Sequence, residues 1–126
     1  MSTEKLLIAV VDDEENVRRA LERLFRSAGM CVEMFPSGAE FLEALKTREH
    51  DCVVLDLHMP GVNGFEVQTR MAEAGVAVPV IVITGHDTEE SRDRALGAGA
   101  FAYLRKPVDD EILLDAIHAA VAQHKN

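Results

Sequence analysis

Five short apolar runs, each followed by a segment of helical spacing, constrain this chain more than any other feature. The runs are residues 6–11, 30–35, 51–56, 78–83 and 101–104. They are too short for helices and rich in Val and Ile, so they read as strands apolar on both faces. Between them, Val17, Ala20, Leu21, Leu24, Phe25 and Ala28 mark one helical face, with Gly29 as its stop. Ser37 with Glu40 is a capping box, continued by Phe41, Leu42 and Leu45. Asn63 caps a helix that reaches about Ala74 and closes at Gly75. Pro79 is tolerable only near the start of the fourth strand. The helix over 88–96 is the weakest, being highly charged with few large apolar residues. The last helix starts at Asp109 or Asp110 and is expected to bury Ile112, Leu113, Ala116, Ile117 and Ala120. Strand followed by helix, five times over, predicts an α/β fold: a (βα)5 doubly wound five-stranded parallel sheet with helices on both faces.

At 126 residues the chain is long enough for one domain, 1–126, with a core of its own. Cys31 and Cys52 fall inside apolar runs and read as small buried hydrophobes of a reducing, cytoplasmic compartment. No secretory signal is expected, because residues 6–11 are too short and follow an acidic start. No run approaches membrane-spanning length. A net charge of −9 argues against direct nucleic-acid binding. His50, His118 and His124 read as surface residues. The polar tail Gln123-His124-Lys125-Asn126 leaves two readings open, a complete small protein or one module of a longer chain.

The chemistry gathers where strands end. The first strand stops at Asp12-Asp13, the third at Asp56, the fourth at Thr84, and the fifth just before Lys106. Parallel strands put these residues on one edge, the edge at which open α/β sheets bind ligands. Either Asp12 or Asp13 is also expected to cap the following helix. Three adjacent carboxylates repel, by about 4 kcal/mol per pair at ~4 Å and an effective dielectric near 20. A cation such as Lys106 relieves this, and so does a hard divalent metal. Few carboxylates with waters and a phosphate suit Mg²⁺ better than Ca²⁺, and no Cys/His cluster offers a zinc site. A carboxylate held by metal and lysine can attack a phosphoryl group to give an acyl phosphate. Lys106, the metal and a hydroxyl such as that of Thr84 would then meet the phosphoryl oxygens.

Four stretches carry a family resemblance: Val11-Asp12-Asp13-Glu14; Leu55-Asp56-Leu57-His58-Met59-Pro60-Gly61 with Gly64; Val82-Ile83-Thr84-Gly85; and Tyr103 with Lys106-Pro107. Together the chain resembles a response-regulator receiver domain of the CheY-like superfamily. Thr84-Gly85-His86 and Gly97-Ala98-Gly99-Ala100 look most like receivers of FixJ-type transcription regulators. The resemblance implies the flavodoxin-like strand order 2-1-3-4-5. It implies that Asp56 accepts phosphate from a phosphohistidine on a sensor histidine kinase or phosphotransfer protein. It implies Mg²⁺, with Mn²⁺ able to substitute, held by Asp13 directly, Asp12 mostly through water, Asp56, and the backbone carbonyl of His58. Thr84 and Lys106 would bind phosphoryl oxygens, Tyr103 would be an aromatic switch that turns inward as Thr84 moves, and Lys106-Pro107 would be a cis peptide. The output would be a partner, a phosphorylation-dependent homodimer, or an attached transcription domain. His58 and His86 admit two readings, as modulators of phosphate lifetime or as solvated loop histidines.

The main competitor is a metal-dependent phosphohydrolase with Asp56 as nucleophile. Haloacid-dehalogenase-like enzymes place a second carboxylate two residues after the nucleophile, where this chain has His58, and they carry a cap for which there is no room. A flavin or nucleotide binder on the same sheet would need a phosphate cradle after the first strand, and Asp12-Asp13-Glu14-Glu15 would repel a phosphate there. Signalling without enzymatic turnover is therefore expected, beyond assistance to the domain's own phosphorylation and dephosphorylation.

Overall fold

The computed structural model describes residues 5–125. The acidic start around Glu4 and the end of the tail at Asn126 lie outside the described residues. The elements alternate as expected: β1 (Leu7–Val11), α1 (Glu15–Ser27), β2 (Cys31–Phe35), α2 (Gly38–Ala44), β3 (Cys52–Asp56), α3 (Gly64–Glu73), β4 (Val80–Thr84), α4 (Glu89–Gly97), β5 (Ala102–Arg105) and α5 (Asp110–Lys125). All strand pairs are parallel, in the order β2-β1-β3-β4-β5.

Strand residues alternate between two cores, as the two-residue side-chain period requires. Ala9, Val11, Val53, Leu55 and Val82 pack with Phe41, Val67, Met71 and Ala95 of α2, α3 and α4. Ile8, Val10, Val54, Ile81 and Ile83 pack with Leu21, Phe25, Leu113 and Ile117 of α1 and α5. Both faces of β3 and β4 are therefore buried, which is why these strands read as continuous apolar runs. Ser37, Asn63 and Thr88 each accept a backbone N–H three residues on, so three helix starts carry the side-chain caps their sequence offers.

Several expectations need correction. The residue at the α1 N-cap is Glu14, and its side chain makes no capping bond; Asp12 Oδ1 accepts the Glu14 N–H at 2.9 Å instead. Ala20 and Ala28 face solvent, so the buried stripe of α1 narrows to Leu21 and Phe25. Ile112 is 55 % exposed, because it lies off the Leu113, Ile117 and Ala120 stripe that α5 turns to the core. Cys31 is exposed, since β2 is an edge strand, while Cys52 is buried; both are free thiols. His50 is buried, not superficial: its ring lies 5.9 Å from Phe35 and Phe41, and Nε2 is 2.8 Å from Glu33 Oε1. His118 and His124 are exposed. Among the described residues no helix is long and apolar enough to cross a membrane.

Candidate functional site

The carboxyl ends of β1, β3, β4 and β5 meet at one edge, and each delivers one of the residues read from the sequence. Asp12 follows β1 and is fully buried. It is fixed by its own backbone, with its N–H on the Phe35 carbonyl at 3.1 Å and its carbonyl accepting Arg18 Nη1 at 2.8 Å. Asp13, next along, is exposed. Asp56 ends β3 with 2 % exposure, and its Oδ1 accepts the His58 N–H at 3.3 Å. Thr84 ends β4, wholly buried, and its Oγ1 accepts the His86 N–H at 3.0 Å. Lys106 follows β5, donates its N–H to the Thr84 carbonyl at 2.8 Å, and forms a cis peptide with Pro107.

Two glycines shape this edge. Gly61 adopts φ +75° where the chain leaves the strand end, a conformation that side chains disfavour. Gly64, the first residue of α3, allows the helix to touch the end of β3. A Cβ there would lie 2.6 Å from the Asp56 carbonyl oxygen and 2.7 Å from Leu57 Cα. The helix start is thus pressed directly against the strand that carries Asp56.

One ammonium serves several acids. Lys106 Nζ is 2.8 Å from Asp12 Oδ2, 2.9 Å from Glu14 Oε1 and 3.6 Å from Asp56 Oδ2. Burial pushes the Asp56 carboxyl up to about 7, the Asp12 charge adds to this, and Lys106 opposes it. Burial also raises Asp12, again against Lys106. For Lys106 itself, burial disfavours the charge, but Asp12 and Glu14 outweigh it and hold the ammonium above its ordinary value. Glu14 is lowered by its bond to Lys106. The protein alone therefore undercompensates its buried negative charge.

Side-chain oxygens of Asp12, Asp13 and Asp56 all lie within 4.8 Å of one another. Asp12 Oδ2 is buried, and the Lys106 ammonium stands 2.8 Å from it as its ion-pair partner. Three converging carboxylates with hard oxygen donors, served by one ammonium, fit a small divalent cation of the Mg²⁺ type. His58 enters the site through its backbone, and its side chain is exposed. Its ring stands 5.0 Å from that of His86, edge to face, so the two histidines stand together at the mouth of the site. Tyr103 is half-buried on β5, its hydroxyl enclosed and without a hydrogen-bond partner. The hydroxyl is enclosed beside Asp87 while Thr84 Oγ1 accepts the His86 N–H.

Glu14 and Asp87 are site residues that sequence reasoning gave no role. Glu14 stands in the acidic run after β1, and only the fold shows that it competes for Lys106. Asp87 follows Thr84 by three residues and contacts Arg92 and Arg105, both at 3.7 Å. No periodicity marks either.

A doubly wound parallel sheet that gathers three carboxylates around one lysine at its carboxyl edge is the arrangement of a receiver-type α/β signalling domain. The chain belongs to the response regulator receiver domain family, whose model matches residues 8–118. It is 39% identical over 121 residues to nodulation protein W of Bradyrhizobium diazoefficiens, covering 96% of this chain and 53% of that protein. It is 35% identical over 120 residues to the transcriptional regulatory protein FixJ of Azorhizobium caulinodans, covering 95% of this chain and 57% of that protein. The crystal structure of a response regulator receiver protein from Burkholderia phymatum superposes with a TM-score of 0.83 at 48% identity, covering 94% of this chain and 96% of that one. The chain spans about half the length of these curated relatives. It is a receiver domain of two-component signal transduction, and this assignment gives no support to the phosphohydrolase alternative.

Proposed function

We propose that Asp56 accepts a phosphoryl group from the phosphohistidine of a sensor histidine kinase or phosphotransfer protein, in a Mg²⁺-dependent step. The observation that carries this reading is the single ammonium of Lys106 facing two buried carboxylates, with Asp13 beside them. Asp12, Asp13, Asp56 and the His58 backbone carbonyl would hold the metal, with Mn²⁺ able to replace it. When bound, the metal supplies positive charge for both the carboxylates and the incoming phosphoryl oxygens. An Asp56 carboxylate oxygen forms the new O–P bond as the P–N bond to the donor imidazole breaks. The electron pair leaves on that imidazole nitrogen. Lys106 is placed to neutralise one phosphoryl oxygen. The Thr84 hydroxyl donates to another once it swings away from the His86 N–H.

That swing is the start of the switch. Tyr103, on the strand beside β4, and α4, which follows the β4–α4 turn, meet where Arg92 stands over the Tyr103 ring, and movement of Thr84 biases both. A shift from 1:99 to 99:1 needs about 5.5 kcal/mol of differential interaction, and new contacts from Lys106, Thr84 and metal to one phosphoryl group are of that order. The altered α4–β5 face would then govern a partner, a homodimer, or an output domain such as a transcription module. Residues 1–126 would form a single cytoplasmic receiver module that turns over no substrate of its own. His58 and His86, paired over the site, would tune access of water to the acyl phosphate.

Incubation with acetyl phosphate and Mg²⁺, followed by intact mass measurement, tests the central step. A single phosphate adduct that requires Mg²⁺ and is absent in Asp56→Asn is the expected result. An adduct that survives Asp56→Asn sinks the assignment of the acceptor. Size exclusion of the same samples reads out dimerisation.

A further inference from the structure

We propose that Asp87 is a positioning residue of the switch: its carboxylate, steadied by Arg92 and Arg105, is the hydrogen-bond acceptor for the Tyr103 hydroxyl and sets which arrangement of α4 and β5 the domain prefers. This inference rests on the reading of Tyr103 as a switch residue.

Two complementary orphans occupy the same corner of the fold. Tyr103 Oη, a donor, and Asp87 Oδ1, an acceptor, are both buried and both lack a hydrogen-bond partner. An unpaired buried polar group is costly, so a hydrogen bond that joins the two is favoured. The other carboxylate oxygen, Asp87 Oδ2, lies 3.7 Å from Arg92 Nη2 and 3.7 Å from Arg105 Nε. Arg92 belongs to α4 and Arg105 to β5. The Arg92 guanidinium also stands over the Tyr103 ring, 5.6 Å from its centroid. One carboxylate on the β4–α4 turn thus links the turn, the helix and the strand, with the tyrosine between them. Burial and then the Asp87 carboxylate raise the Tyr103 hydroxyl above its ordinary value, as expected of a phenol facing an acid. Asp87 follows Thr84 by three residues, so a pull on Thr84 is delivered to Asp87 through the turn that His86 closes onto the Thr84 hydroxyl.

The chain contains a single tyrosine and no tryptophan, so tyrosine absorbance and fluorescence report on Tyr103 alone. Tyrosinate formation is titrated by ultraviolet absorbance, with far-ultraviolet circular dichroism establishing that the fold persists. Wild type should ionise above the ordinary tyrosine value, and Asp87→Asn should bring the midpoint down by about one pH unit, the scale on which a neighbouring charge acts. Arg105→Gln, which frees one side of the carboxylate, should instead raise it. The second readout is the change in Tyr103 fluorescence on adding acetyl phosphate and Mg²⁺. Asp87→Asn should at least halve that change while the mass spectrum shows the same phosphate adduct. An unmoved midpoint in both variants overturns the contact, and leaves the switch reading standing. A moved midpoint with an unaltered fluorescence response overturns the control exerted by Asp87. If wild type forms the adduct with no fluorescence change, the switch reading itself fails, and the titration still records separately whether the contact exists.

Discussion

At the residue scale, Asp56 is held in tension. Its carboxyl is raised from 3.8 to about 7 in the fold, first by burial and then by Asp12. The folded protein therefore keeps this proton where the unfolded chain has lost it. Stability from this group is fully present below about pH 4 and is lost as pH rises through 7. The span corresponds to something on the order of 4 kcal/mol. Glu14 acts in the opposite sense: it is lowered, so its contribution is present above 4.5 and lost as pH falls below that. Urea unfolding of the metal-free protein should accordingly show stability falling from pH 5 to pH 8. Asp56→Asn should flatten this slope and raise stability at pH 8 by about 2–4 kcal/mol. A steeper slope in the variant would contradict the assignment. Lys106→Met removes the shared cation, and should lower stability at pH 8 by about 3 kcal/mol or more, since breaking a buried pair strands its partners. Asp12, Asp56, Thr84 and Lys106 were legible because each ends an apolar run. His50 and Ile112 were not, because burial of a polar ring against Phe35 and Phe41, and exposure of one apolar side chain beside a buried one, depend on neighbours far along the chain. Cys31 was misread for a related reason: an edge strand and an inner strand share the same composition.

At the scale of elements, the inner strands and the capped helices are specified locally, and the approach of α3 to β3 is not. Asn63 and Gly75 announce where α3 begins and ends, but nothing in the spacing shows that Gly64 lies against the Asp56 carbonyl. Substitution by alanine puts a methyl into backbone atoms that cannot rotate away. Gly64→Ala should cost about 1–3 kcal/mol, the usual range for overpacking. It should also slow acetyl-phosphate labelling, because the strand end carrying Asp56 must shift. Equal stability and equal labelling would show that the helix start yields freely. Helix α4 behaves differently. Its contribution to the core is Ala95, and it is tied to α3 by Gln68 Nε2 on the Ala95 carbonyl at 3.0 Å and by Arg94 over Phe65 at 4.1 Å. A helix held mainly by polar contacts is easier to relocate than one held by apolar packing. The charged, apolar-poor sequence over 88–96 already pointed to this looseness, and the contacts that decide where α4 rests came only with the fold. Gln68→Leu should raise amide exchange in α4 by several-fold while leaving β3 and β4 protected. Uniform exchange across the domain would show that α4 is not a separate unit.

For the whole molecule, one sheet edge gathers three carboxylates within a chain whose net charge is −9. Relief from a divalent cation should then be felt globally, since a ligand that binds only the folded state stabilises all of it. At about one hundred times Kd the gain is ~2.7 kcal/mol, which for a domain of this size raises the melting temperature by ~10 °C. Asp13 separates this effect from the fold's own balance. It is exposed and lies outside the Lys106 contacts, yet its carboxylate belongs to the oxygen cluster. Asp13→Ala should therefore melt close to wild type without metal, and lose most of the Mg²⁺-induced rise. Asp56→Asn should melt higher than wild type without metal, and gain less from Mg²⁺. Ca²⁺, which seeks more oxygen ligands at longer distances, should raise the wild-type melting temperature less than Mg²⁺ at equal concentration. One variant starts at the wild-type melting point and the other above it, and both lose response to the metal. General screening of the −9 charge would raise both variants as much as wild type, so a response kept in Asp13→Ala would place the cation elsewhere.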